Sequence, residues 1–234
     1  LAFAIHLSAE IKKMPISLTQ NLSAQNLPVA LALIIALSSI CLPSYAQDKW
    51  KIDPRYSRAD FTIAHMVVST LHGTFSKVDG NVNFDGKDLN HACVLAKIDM
   101  ASVDTGIGAR DDHLRNADFF NVAKYPTMSF QSKRVEALKN GKFKIVGTLT
   151  LKGISKEVTL DADSLQNKSL ANAGQVLLTK ATTEINRKDF GITYNALLDN
   201  GGTMIGDKVD ITLNIALTKS MPPLAMDGEQ TDKN

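Results

Sequence analysis

The chain has 234 residues, 44% of them hydrophobic, and sets 26 Lys and Arg against 24 Asp and Glu for a formal net charge of +2. That balance supplies no electrostatic footprint for nucleic acid or for an anionic membrane surface. The length suits one domain with a sizeable core.

The first element is an uncharged apolar run from Leu27 to Leu42 (LPVALALIIALSSICL), which follows Lys12 and Lys13 and ends in Ser44-Tyr45-Ala46. A basic start, a short apolar stretch and small residues before the cut form a secretory signal peptide. Cleavage is expected after Ala46, which makes residues 1–46 the signal and Gln47 the mature start. Met14 is a candidate initiator; a start there omits both lysines and leaves only the amino-terminal charge ahead of the apolar run. The run is shorter than the ~20 apolar residues that span a bilayer. Ile40 before Cys41 does not suit lipid attachment. A periplasmic location is the expectation. Cleavage would leave Cys93 as the sole cysteine, without an intramolecular disulfide, and Cys93 reads as a small buried hydrophobe.

After the signal the dominant period is two, the mark of strands with one buried and one wet face. Strands are predicted at Ala59–Val67, Gly73–Asp85, Ala92–Met100, Thr127–Ala137 and Gln175–Ile185. Three more alternations are clear. Phe143, Ile145, Gly147, Leu149 and Leu151 form one. Val158, Leu160 and Ala162 form another, and Val209, Ile211, Leu213, Ile215 and Leu217 a third. Asp85-Gly86, Asn140-Gly141, Lys152-Gly153 and Asn200-Gly201-Gly202 are turn signals, the second and third fitting hairpins. Arg110–Phe120 (RDDHLRNADFF) breaks the pattern and predicts a short helix at about Arg110–Asn116, closed before Tyr125-Pro126. The segment from Ser220 onward lacks apolar periodicity and reads as a loose tail over 220–234. The fold class is therefore all-β, a sandwich or a barrel of about eight strands with one short helix over residues 47–219. At that strand number a barrel interior either fills with side chains or holds a ligand, and periodicity leaves both open.

Several blocks occur in one order between Trp50 and Leu217: Trp50-Lys51-Ile52-Asp53, Phe61–Phe75 (FTIAHMVVSTLHGTF), Ile98–Gly106 (IDMASVDTG), Arg110–Phe130, Gly147–Leu160 (GTLTLKGISKEVTL) and Asn186–Gly191 (NRKDFG). Together they resemble the YceI-like family of exported, lipocalin-like proteins. The resemblance implies an extended antiparallel barrel whose hydrophobic channel binds a long polyisoprenoid, with prenyl phosphates or prenyl quinones as ligands and no other cofactor. Related domains occur beside membrane cytochromes of the b561 type, which makes such a cytochrome a candidate partner. The oligomeric state stays open, a dimer included.

Inward strand positions nominate Phe61, Ile63, Phe75, Val94, Ile98, Phe130, Ile145 and Leu149 as channel lining, with Phe119 and Phe120 closing one end. The same residues would equally fill a solid core; the resemblance favours a channel. Arg110, His113 and Arg115 are candidate headgroup contacts, since guanidinium forks match phosphate oxygens. The favoured alternative is structural: Asp111 and Asp112 cap the helix start, Arg115 pairs locally, and Phe119 and Phe120 pin the segment to the barrel. Ser102–Gly106 reads as a strand-ending turn. No GxSxG elbow, HExxH pair or complete glycine fingerprint occurs. Asp60, His65, His72, Asp111 and His113 would have to converge to hold a metal. No catalytic or metal residue is assigned. The readings left beside a lipid carrier are an enzyme acting on a prenyl lipid through His65, His72 and His113, and a filled barrel acting through its surface at Arg110–Phe120 or Asn186–Gly191.

Overall fold

Alternating sequence becomes antiparallel sheet along nearly the whole of the domain. The computed structural model describes residues 49–65, 69–170, 174–196 and 204–219. The strands are β1 (Lys49–Ile52), β2 (Arg58–His65), β3 (Ser69–Phe75), β4 (Val78–Asn83), β5 (Cys93–Asp99), β6 (Val103–Asp104), β7 (Thr127–Ala137), β8 (Phe143–Leu151), β9 (Ile154–Ala162), β10 (Gln166–Leu170), β11 (Gly174–Asn186) and β12 (Ile205–Lys219). One α-helix, α1 (Gly108–Arg115), lies between β6 and β7. The signal segment with its cut after Ala46, the tail over 220–234, the Asn200-Gly201-Gly202 turn and Val67 lie outside the described residues.

All twelve strands form one sheet. Eight of them close a ring in the order β1, β4, β5, β7, β8, β9, β11, β12, the last pairing back onto β1. The fold is thus a closed antiparallel barrel, which removes most strand edges. β2 and β3 extend the wall along β12, and β10 extends it beside β11. β12 gives one edge to β11 and divides the other: Ile205 to Asn214 face β2, while Leu217 to Lys219 face β1. Register gives the barrel two distinct ends. Asp99, Leu151, Asn186 and Ile205 lie at the end that carries α1; Cys93, Ala137, Phe143 and Val176 lie at the other.

The Lys152-Gly153 hairpin joins Leu151 and Ile154, which pair directly. Both turn residues have positive φ, 51° and 76°, the combination that matches the right-handed twist of the flanking strands. Lys152 accepts this conformation and uses its side chain: Nζ donates to Ala117 O at 3.3 Å and Gly191 O at 3.2 Å.

Three differences from the sequence reading have physical causes. The single strand expected over Gly73–Asp85 is two, β3 and β4. Phe75 and Val78 are both buried, so the inward phase slips by one residue and no unbroken strand keeps both on one face. The break is held at Ser76 and Lys77, whose amides donate to Ser102 O and Ser102 Oγ. β1 and β10 were not anticipated as strands, the first being short and the second (QNKSL) lacking any apolar alternation. Cys93 is buried as expected, and in the uncut chain it is disulfide-bonded; its reading as the sole cysteine belongs to the chain cut after Ala46.

Candidate ligand cavity

Inward side chains of the ring do not meet at the centre. They line a cavity of about 420 Å³, roughly thirty times the ~10–15 Å³ that a single water needs. β12 contributes Val209, Ile211, Leu213, Ile215 and Leu217 in unbroken alternation, and Phe143, Ile145, Leu149 and Leu151 of β8 stand opposite. Gly147 interrupts that row because a Cβ there would lie 2.5 Å from Gln131 O and 2.5 Å from the Phe130 ring. The missing side chain lets Phe130 lie across β8.

Phe61, Ile63, Phe75, Val94, Ile98, Phe119, Phe120, Phe130, Ile145 and Leu149 all line this cavity. The two ends of the space differ in chemistry. At the end away from α1 the lining is apolar apart from Thr179, with Phe84, Leu89, Phe143 and Leu165. At the α1 end it includes His65, Arg110, His113, Arg187 and Tyr194.

The α1 end is built on aromatic packing. His113 meets Phe119 at 5.0 Å and 89°, and Tyr194 at 5.0 Å and 80°, while Phe119 and Tyr194 are 5.1 Å apart. These are edge-to-face or tilted contacts, the geometry that ring quadrupoles favour. Phe75 bridges Phe61 and Phe120 at 5.6 and 5.7 Å, so the cluster continues into the barrel wall. His113 Nε2 lies 3.1 Å from Asp118 Oδ2. Tyr194 remains 39% exposed, which places this end at the surface.

The three headgroup candidates separate. Arg110 lines the cavity and is oriented by Thr105, donating from Nε to Oγ1 at 2.7 Å and from Nη2 to the carbonyl at 2.9 Å. Its Nη1 makes no hydrogen bond among the described residues. His113 lines the cavity too. Arg115 does not: it donates to Ala101 O, Val103 O and Asp112 Oδ1 at 2.8–3.1 Å, so its donors anchor α1 locally. Neither aspartate caps the helix. The N-cap is Ile107, without a side-chain bond. Asp111 is buried and accepts from Thr105 N at 2.9 Å and Thr105 Oγ1 at 2.6 Å. Asp111, Thr105 and Arg110 therefore form a chain of hydrogen bonds that sets the arginine.

Arg187 and Tyr194 were not singled out as site residues from sequence. Arg187 is 3% exposed and donates from Nε to Gly206 O at 2.7 Å and from Nη1 to Ile192 O and Tyr194 O at 2.8 Å each. Asp207 lies 3.5 Å from Nη2. Burial holds the guanidinium pKa below its usual value, partly offset by the Asp207 charge. The signal for Arg187 was its phase: it continues the inward row of Ala181, Thr183 and Ile185. Tyr194 sits outside any alternation and left no such signal.

Among the described residues no three His, Cys, Asp or Glu side chains converge for a metal. His65 and His113 line the cavity, whereas His72 pairs across from Thr62 on the other face, so the three histidines proposed for catalysis do not meet. No helix among the described residues is long and apolar enough to cross a membrane.

The family model described as a YceI-like domain matches residues 50–217. A UPF0312 protein of Serratia proteamaculans is 39% identical over 163 residues, which covers 69% of this chain and 82% of that protein. The crystal structure of the Campylobacter jejuni YceI protein superposes with a TM-score of 0.56 at 28% identity, covering 68% of this chain and 91% of that one. A polyisoprenoid binding domain from Saccharophagus degradans shares the fold, with a TM-score of 0.54 at 16% identity over 73% of this chain and 98% of that domain.

Proposed function

The chain belongs to the YceI-like family, and from that premise we propose that it carries or sequesters an isoprenoid lipid and catalyses nothing. The observation that carries the reading is the cavity: an apolar space running between the barrel ends, with its cationic and imidazole side chains confined to the α1 end. That polarity matches a long hydrocarbon with a polar head. Each buried methylene contributes roughly 0.8 kcal/mol, so a five-carbon unit supplies about 4 kcal/mol before the cost of association. Affinity therefore needs no specific chemistry along the tail; cavity length and the polar end select the ligand. The Saccharophagus degradans domain, described as polyisoprenoid binding, supports an isoprenoid as the tail.

The head is a prenyl phosphate or a prenyl quinone, met by Arg110 and His113. An oriented guanidinium suits either set of oxygens, the phosphate more strongly because the bond is charge-assisted. Export through the Leu27–Leu42 segment places the carrier in the periplasm, where a b561-type cytochrome is a candidate partner for a quinone cargo. Titration with prenols of rising length tests the proposal. The dissociation constant should tighten with each isoprene unit until the cavity is full, then level. Absence of binding at every length would remove the carrier reading.

A further inference from the structure

The barrel wall is not hydrogen-bonded equally all round. β8 and β9 pair along their whole lengths, from Phe143↔Ala162 to Leu151↔Ile154, and β11 and β12 pair from Val176↔Thr218 to Asn186↔Lys208. Between β9 and β11 the ladder consists of Ala181↔Ala162 and Thr182↔Asp161 alone. Beyond those rungs, residues 154–160 and 183–186 run toward the α1 end with no pairing across the gap.

A cleft of about 330 Å³ occupies this seam. Its exposed lining is polar, with Lys156, Glu157, Glu184 and Asp189. Its deeper lining includes Val158, Thr183 and Ile185, which also line the central cavity. The same three side chains thus stand between the outer cleft and the inner space. The slot is tied at both ends. The two rungs close it below, and above it Phe190 is buried at 1% exposure while Lys152 Nζ holds Gly191 O.

We propose that this seam is a side window through which the lipid enters and leaves, an inference that rests on the carrier reading. A gap elsewhere in the ring breaks backbone ladder bonds, and passage past α1 disperses the His113–Phe119–Tyr194 cluster. Widening the seam breaks no ladder bond, because none spans it; rotation of Val158, Thr183 and Ile185 joins the two spaces. Side-chain rotation is far faster than collective motion of a sheet. The polar cleft suits an amphiphile, whose head stays in the hydrated slot while its tail slides between the strands.

The test measures release of a dansyl-tagged geranylgeranyl chain, chased by excess geranylgeraniol. Thr159 and Glu184 are exposed and oppose each other in the register two steps beyond the last rung. Thr159→Cys with Glu184→Cys, joined by a short bis-maleimide, staples the window. Cys93 is buried at 6% exposure, which shields it from the reagent. Stapling should slow release about tenfold or more, each factor of ten being 1.36 kcal/mol of barrier, at unchanged stoichiometry. Phe190→Leu, which loosens the upper tie, should speed release severalfold. Release at the parent rate in both proteins overturns the window and leaves the carrier reading standing. A protein that takes up no probe at equilibrium overturns both.

Discussion

Arg187→Met is the substitution with the largest consequence for the α1 end. The methionine keeps much of the aliphatic stem and removes every donor. Three short hydrogen bonds are lost, to Gly206, Ile192 and Tyr194 carbonyls at 2.7–2.8 Å. Bonds from a charged group contribute about 1.5–3 kcal/mol each, and burying the charge costs several kcal/mol in return. The substitution removes both terms but strands buried carbonyls, so a net loss of about 3 kcal/mol is expected. For a domain of this size that lowers Tm by about 6–12 °C. Because the three carbonyls lie in the 192–194 segment and at the start of β12, Tyr194 should lose its seat against His113 and ligand release should quicken. Thermal unfolding followed by circular dichroism, with urea titration to check that the m-value holds, measures the effect. A Tm within about 3 °C of the parent would refute the reasoning, since it would mean that water satisfies the carbonyls as well as Arg187 does.

Ala181 is buried on β11 and lines the cavity. Ala181→Phe should leave the fold intact, because the ring enters empty space, and weaken a long prenol about tenfold or more by displacing part of its tail; titration reads this directly. Arg110→Met should weaken a prenyl phosphate about tenfold to a hundredfold while leaving the parent prenol nearly unchanged, a split that an ordinary packing defect does not give. Asp53 is buried and accepts hydrogen bonds from Arg55, which lower its carboxyl pKa. Its contribution to stability is therefore complete above about pH 4, the ordinary carboxylate value, and is lost as pH falls through the lowered value. Asp53→Asn should flatten that acid limb in a series of thermal melts, and an unaltered limb would assign it to other carboxylates.

The strands were legible where burial alternates for many residues, as in β7, whose bounds match the expectation, and in β8 and β12. Alternation failed where two rows of opposite phase adjoin at Phe75 and Val78, since a window spanning both looks like one long strand. It was silent for β10, whose first four residues, Gln166 to Ser169, are polar on both faces. Periodicity alone could not distinguish a cavity from a filled core; only the family resemblance favoured the channel. The residues that line it are those that would fill a core, and whether they meet depends on the circumference of a ring closed by β12 pairing with β11 and β1. At the α1 end the sequence drew attention to RDDHLR as a cluster and favoured local pairing for Arg115, but it did not separate Arg110 from Arg115 as a headgroup candidate. Arg110 and Arg115 are both arginines of one short helix, and only the folded positions of Thr105, Ala101 and Val103 send one to the cavity and the other to the backbone. Arg187 shows the converse, a cation carried inward by strand phase from a block that had drawn notice as a motif and as a candidate surface.

The most direct test of a lipid carrier is mass spectrometry of an organic extract from the protein purified out of cells that make it. The account predicts one isoprenoid lipid per chain, bearing a phosphate or quinone head and a tail matched to the cavity. A protein that arrives empty, and stays empty when offered prenyl phosphates and prenyl quinones, would contradict it.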